Sequence, residues 1–155
     1  MTAVLFLDID GVLNSDRFRF AQPWGVREVD MFDPAAVATL NAITRRWQLK
    51  LVISSSWRVM PDLEAILRAK GIEAEIIGLT PHAEGPRGFE IAEWLVGHPE
   101  ITSFVILDDD ADMGELTDHL VRTDHRHGLV PEDVERVARV LNLEKSEPAR
   151  DIHPR

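Results

Sequence analysis

Along this chain, short unbroken apolar runs alternate with longer stretches whose apolar positions recur every three or four residues. Residues 3–9 (AVLFLDI), 49–53 (LKLVI), 74–77 (AEII), 104–107 (FVIL) and 120–121 (LV) read as five short strands. The stronger ones are apolar at every position, as strands buried on both faces are. Helical spacing fills the intervals. One helix is predicted over 34–47, with Asp33 as N-cap and Pro34 at the first helical position, where a missing N–H costs nothing. A second follows Pro61 and stops at Gly71, a C-cap residue. A third covers 88–96, a short fourth follows Asp112, and a fifth spans 131–143. In the fifth, Val134, Val137, Ala138 and Leu141 make one apolar stripe for docking on a sheet. Strand and helix in alternation predict an α/β fold, a Rossmann-like three-layer sandwich on a five-stranded, mainly parallel sheet. In such sheets ligands bind beyond the carboxyl ends of the strands.

At 155 residues the chain is most simply one domain, burying roughly 70% of its unfolded surface. That domain is expected over 1–143, with 144–155, mixed in charge and aperiodic, as a flexible tail. Between the first strand and the first helix, residues 14–33 show no strong periodicity. Connections this long inside compact domains are usually functional or disordered. Lys and Arg number 17 against 27 Asp and Glu, a net charge of −10, which opposes non-specific binding to nucleic acid or to an anionic membrane. The absence of cysteine removes disulfides, zinc-thiolate sites and thiol catalysis. No apolar run is long enough for a bilayer and no secretory leader pattern opens the chain, so a cytoplasmic protein is expected.

Acidic residues gather at the predicted strand ends. FLDIDGVLN places Asp8 and Asp10 at the end of the first run, and side chains two apart on a strand share a face. ILDDDADM delivers Asp108, Asp109, Asp110 and Asp112 to the same edge, and VISSSWR brings Ser54, Ser55 and Ser56. Taken singly, each cluster reads as turn and cap chemistry. Taken together, the carboxylates repel one another and call for protonation or a cation, for which a hard, oxygen-liganded Mg2+ fits best.

FLDIDGVLN resembles the first motif of the haloacid dehalogenase (HAD) superfamily of phosphotransferases, an apolar strand followed by Asp-x-Asp-Gly. The resemblance implies that Asp8 is a nucleophile that takes up a phosphoryl group as an aspartyl-phosphate, with Asp10 as general acid and then base. VISS resembles the second motif, whose Ser or Thr binds phosphoryl oxygens; Ser54 is the first choice and Ser55 the second, since three serines leave the register open. ILDDDADM resembles the acidic fourth motif, which implies a metal site of Asp8, Asp10, Asp108 and Asp109, with Asp112 as a further contributor. For the third-motif cation Arg87 is preferred in GPRGFEIAEWL, Lys70 is the alternative, and Lys50 precedes a strand at the wrong edge. Together with the RG-x-EI pattern, these motifs are similar to the small HAD domains grouped with RNA-repair proteins.

HAD relatives often carry a cap domain, but here residues 14–33 and 78–86 are too short to make one, so the cap is minimal. By analogy, such members act on exposed phosphates, including nucleic-acid ends and nucleotides. Arg17, Arg19, Trp24, Trp57 and Arg58 are candidates for a basic and aromatic substrate rim, although for Trp57 packing beneath the next helix is the stronger reading. The leading expectation is therefore a magnesium-dependent phosphohydrolase. The alternatives are a receiver-like phosphoacceptor, whose acids would be ordered differently along the chain, and a non-catalytic HAD-fold interaction module.

Overall fold

The computed structural model describes residues 2–146, and side chains through residue 142. Five strands, β1 (Thr2–Leu7), β2 (Lys50–Ile53), β3 (Ile76–Leu79), β4 (Ile101–Asp108) and β5 (Leu120–Arg122), form one sheet in the order β3-β2-β1-β4-β5. Every pairing is parallel. The helices are α1 (Asp16–Phe20), α2 (Pro34–Trp47), α3 (Leu63–Ala69), α4 (Arg87–Val96) and α5 (Asp133–Ser146). Receiver domains use the flavodoxin-like order 2-1-3-4-5, which this sheet does not have.

Side-chain alternation sorts the layers. Leu5, Leu7, Leu51, Ile53, Val105 and Leu107 point to one face, where Leu40 and Ile43 of α2, Leu67 of α3 and Val137 and Leu141 of α5 cover them. Val4, Phe6, Val52, Phe104 and Ile106 point to the other, against Ile91, Trp94 and Leu95 of α4. Phe6 meets Trp94 and Phe104 edge-on at centroid distances of 5.5 and 5.7 Å. Such pairs add about 0.5–1.5 kcal/mol beyond area burial. The central strand is thereby locked between two cores.

The expected bounds hold where local chemistry sets them. Asp33 caps α2 by accepting from the Ala35 N–H at 2.9 Å, with Pro34 first in the helix. Gly71, at φ +91°, follows the end of α3. Other elements differ. The edge strand β3 lies two residues later than expected, because pairing with β2 runs through Gly78 and Leu79. The helix after Asp112 is a 3-10 helix, Gly114–His119. The 14–33 connection contains α1 and a 3-10 helix, Glu28–Asp30, each too short to show periodicity. Helix α5 continues to Ser146, past the expected end; residues 147–155 of the expected tail lie outside the described residues. No helix among the described residues is long and apolar enough to cross a membrane.

Candidate active site

Strand register builds the site. Leu7 pairs with Ile53 on one side and Leu107 on the other, so the next residues, Asp8, Ser54 and Asp108, form a row across three adjacent strands. The Asp8 N–H donates to the Leu107 carbonyl at 3.0 Å, and the Ser54 N–H to the Leu7 carbonyl at 2.8 Å, which extends the ladder to this row. Counting by twos from Phe6, Val52 and Ile106 puts all three on the α4 face. Helix α4 begins there with Arg87. Its Nη1 donates to Asp8 Oδ1 at 3.4 Å and to the Ser54 carbonyl, and lies 3.5 Å from Asp108 Oδ2.

Two glycines allow the close approach. A Cβ on Gly88 would lie 2.4 Å from the Met113 carbonyl oxygen, so only glycine lets the first turn of α4 sit against the acidic loop. Gly11, at φ +80°, would place a Cβ 2.2 Å from Asp109 Oδ2, so its bare backbone leaves the space the Asp109 carboxylate occupies. Asp8, Asp108 and Asp109 each offer an oxygen within 4.8 Å of the others.

Asp8 and Asp108 are almost wholly buried. Burial, and then the Asp108 and Asp109 carboxylates, push Asp8 up to about 9 despite Arg87. Burial pushes Asp108 up to about 6, against the pull of Arg87. For Arg87, burial opposes the charge but Asp108 and Asp8 outweigh it and hold the guanidinium above its ordinary value. Among the described residues, three buried side-chain atoms have no hydrogen-bond partner: Arg19 Nε, away from the row, and Asp108 Oδ2 and Ser54 Oγ within it. Buried oxygens of this kind are normally satisfied, so both mark a place prepared for something else. The all-oxygen, carboxylate-rich set fits a hard divalent cation.

The family model for the HAD domain in Swiss Army Knife RNA repair proteins matches residues 4–134. The chain belongs to that family. Neither curated proteins nor solved structures give a match.

Within this HAD domain, Arg87 is the cation brought to the acids, whereas Lys70 pairs with Asp30 at 2.8 Å and Lys50 with Glu75 at 2.7 Å. The two serines differ in what their hydroxyls bind. Ser55 Oγ accepts from the Trp57 N–H at 3.2 Å as a cap for the 3-10 helix Ser56–Val59, which leaves Ser54 with the uncommitted hydroxyl. Asp10 is not among the clustered carboxylates. Strand β1 ends at Leu7, so the alternation that would align Asp10 with Asp8 has already stopped, and Asp10 Oδ1 is bound by Asn14, Arg19 and Trp57. Asp110 and Asp112 are exposed and sit in successive turns, each N–H bonded to the carboxylate two residues before.

The expected rim divides. Arg17 and Trp24 are exposed, Trp24 completely. Trp57 is buried edge-on to Phe32 at 5.4 Å, because its ring completes the core under α2 and α3, so it offers no stacking face. Arg58 is also withdrawn: its Nη2 donates to buried Glu90 at 2.7 Å, and Glu90 accepts the Ala83 N–H at 3.0 Å as well. Glu90, which holds Arg58, and Asn14, which binds Asp10, make contacts that sequence reasoning did not assign, although both lie inside stretches it singled out, RG-x-EI and DIDGVLN.

Proposed function

We propose that this HAD domain is a magnesium-dependent phosphomonoesterase acting through an aspartyl-phosphate on an exposed phosphate, such as a nucleic-acid end or nucleotide. The observation that carries the reading is the row of Asp8, Ser54 and Asp108 with Arg87 set against all three of its members. Asp8 attacks phosphorus and the ester P–O bond breaks, with Asp10 giving a proton to the leaving oxygen. Asp10 then takes a proton from water as it attacks the same phosphorus, the bond to Asp8 breaks, and inorganic phosphate leaves. Arg87 and the Ser54 hydroxyl hold non-bridging oxygens, the positioning on which phosphoryl transfer chiefly depends. Mg2+ would be held by Asp8, Asp108 and Asp109 and would neutralise the repulsion between carboxylates and phosphate.

The family's association with RNA repair favours a nucleic-acid end, and the short 14–33 and 80–86 connections leave a large substrate room to approach. Arg17 and Trp24, both exposed, would supply the rim that meets it, in a protein that acts in the cytoplasm and lacks broad affinity for polyanions. The test is phosphate release from an aryl phosphate, nucleotides and oligonucleotides phosphorylated at the 5′ or 3′ end. Each is assayed with and without Mg2+, using wild type and Asp8→Asn. Magnesium-dependent turnover lost in the variant is expected. Full activity in Asp8→Asn would overturn the mechanism. Magnesium binding without turnover on any substrate would instead favour a non-catalytic interaction module.

A further inference from the structure

Asp10 has one fully occupied oxygen and one open one. Its Oδ1 accepts from Asn14 Nδ2 at 2.8 Å, Arg19 Nη2 at 2.9 Å and Trp57 Nε1 at 3.1 Å. A carboxylate oxygen has about two lone-pair sites, so three donors saturate it. Oδ2 accepts no hydrogen bond among the described residues, and the side chain remains 42% exposed.

The three donors come from three separate segments, each fixed by other contacts. Asn14 is buried, and its Oδ1 accepts the Gly11 N–H at 3.0 Å. Arg19, on α1, is shared with Glu28 at 3.2 Å, which ties α1 to the 3-10 helix Glu28–Asp30. Trp57 is held in the core against Phe32. The 14–33 connection is therefore organised around Asp10 from the side, through Arg19 and Glu28.

We propose that Asn14, Arg19 and Trp57 are positioning residues that fix the Asp10 carboxyl through Oδ1 and reserve Oδ2 as the atom that carries the proton. The proposal rests on the phosphomonoesterase reading. In the first step the proton on Oδ2 passes to the ester oxygen as the P–O bond breaks. In the second, Oδ2 receives a proton from the attacking water as the bond between phosphorus and Asp8 breaks. A carboxyl free to rotate would meet the leaving oxygen in the right geometry less often, and misplacement on this scale lowers rates strongly.

The test separates positioning from simple destabilisation through the leaving group. Single-turnover release of the leaving group, with enzyme in excess, is measured over aryl to alkyl phosphates for wild type, Asp10→Asn, Arg19→Met and Trp57→Phe. A good aryl leaving group needs no proton, whereas an alkoxide does. Arg19→Met is expected to slow alkyl phosphates about 10- to 100-fold, within the range general acid catalysis supplies, and to leave the best aryl phosphate within about threefold. Trp57→Phe, which keeps a ring against Phe32, should show a smaller change of the same kind. Equal slowing for every leaving group in both variants would overturn the positioning role. Asp10→Asn without a steeper leaving-group dependence would instead remove Asp10 as the acid, and this proposal with it, while Asp8→Asn still reports on the nucleophile.

Discussion

Ser54 and Ser55 are adjacent and both fully buried, yet only the Ser55 hydroxyl has a partner, the Trp57 N–H. A buried hydroxyl without a partner costs about 1–3 kcal/mol, so Ser54 is kept at the expense of stability. Ser54→Ala is expected to leave the melting temperature unchanged or higher while lowering kcat/KM for a phosphate ester about tenfold or more. Ser55→Ala should lose about 1 kcal/mol of stability, as an N-cap does, with the smaller effect on kcat/KM. Thermal unfolding and steady-state kinetics on the two variants check the pair, and equal kinetic losses would refute the assignment. No sequence reading could choose between these serines, because the choice depends on which one the following 3-10 helix recruits as a cap. Asp8, Asp108 and Asp109 were legible, since an acid at the end of an apolar run has one place to go. Arg58 was not, since an arginine after a strand looks alike whether it faces solvent or, as here, Glu90, whereas for Trp57 the favoured packing reading is the arrangement observed, against Phe32.

At the scale of elements, the site depends on how closely α4 approaches the loop after β4. Gly88 sets that distance: its N–H reaches the Asp112 carbonyl at 3.3 Å, and a Cβ would strike the Met113 backbone. Gly88→Ala should therefore push the start of α4, and Arg87 with it, away from Asp8 and Asp108. The expected result is a lower melting temperature together with weaker binding of inorganic phosphate by calorimetry in the presence of Mg2+. Gly97→Ala is the control. It lies at the other end of α4, with φ −75° and its nearest contact at an ordinary 3.5 Å, and should alter neither. Periodicity revealed α2 because fourteen residues and a proline-initiated cap leave little choice. It could not reveal the five-residue α1, whose place is fixed by backbone bonds from Asp16 and Arg17 to the distant His125 and Arg126 carbonyls. It also ran β1 two residues too far, since Ile9 is as apolar as the strand but turns into the Gly11 loop. That short overrun is why Asp10 was expected beside Asp8.

For the molecule as a whole, the sheet order brings the carboxyl ends of β1 and β4 side by side, and with them Asp8 and Asp108 in one buried row. In a chain of net charge −10 nothing in the wider field relieves that repulsion, and Arg87 is the one cation placed against both among the described residues. The consequence is a stability that depends on pH. Asp8 is raised from 3.8 to about 9 by burial and by Asp108, and Asp108 from 3.8 to about 6 by burial. Between the ordinary and raised values the folded protein binds more protons than the unfolded chain, so stability must fall as pH rises through that window. With respect to these two groups, the metal-free protein is most stable below about pH 4 and loses stability up to about pH 9. Asp124 works in the opposite sense, because its hydrogen bonds from Arg126 lower it to about 2, so its contribution is present above about pH 4 and lost only in acid. Thermal melts of metal-free protein from pH 5 to pH 9 should therefore show a falling melting temperature. Asp8→Asn, which removes the larger shift, should flatten the slope and raise the melting temperature at the alkaline end. Added Mg2+ should stabilise wild type more at pH 8 than at pH 6, because binding must displace protons from the same carboxylates. Identical pH slopes for wild type and Asp8→Asn without metal would show that Asp8 does not carry this burden.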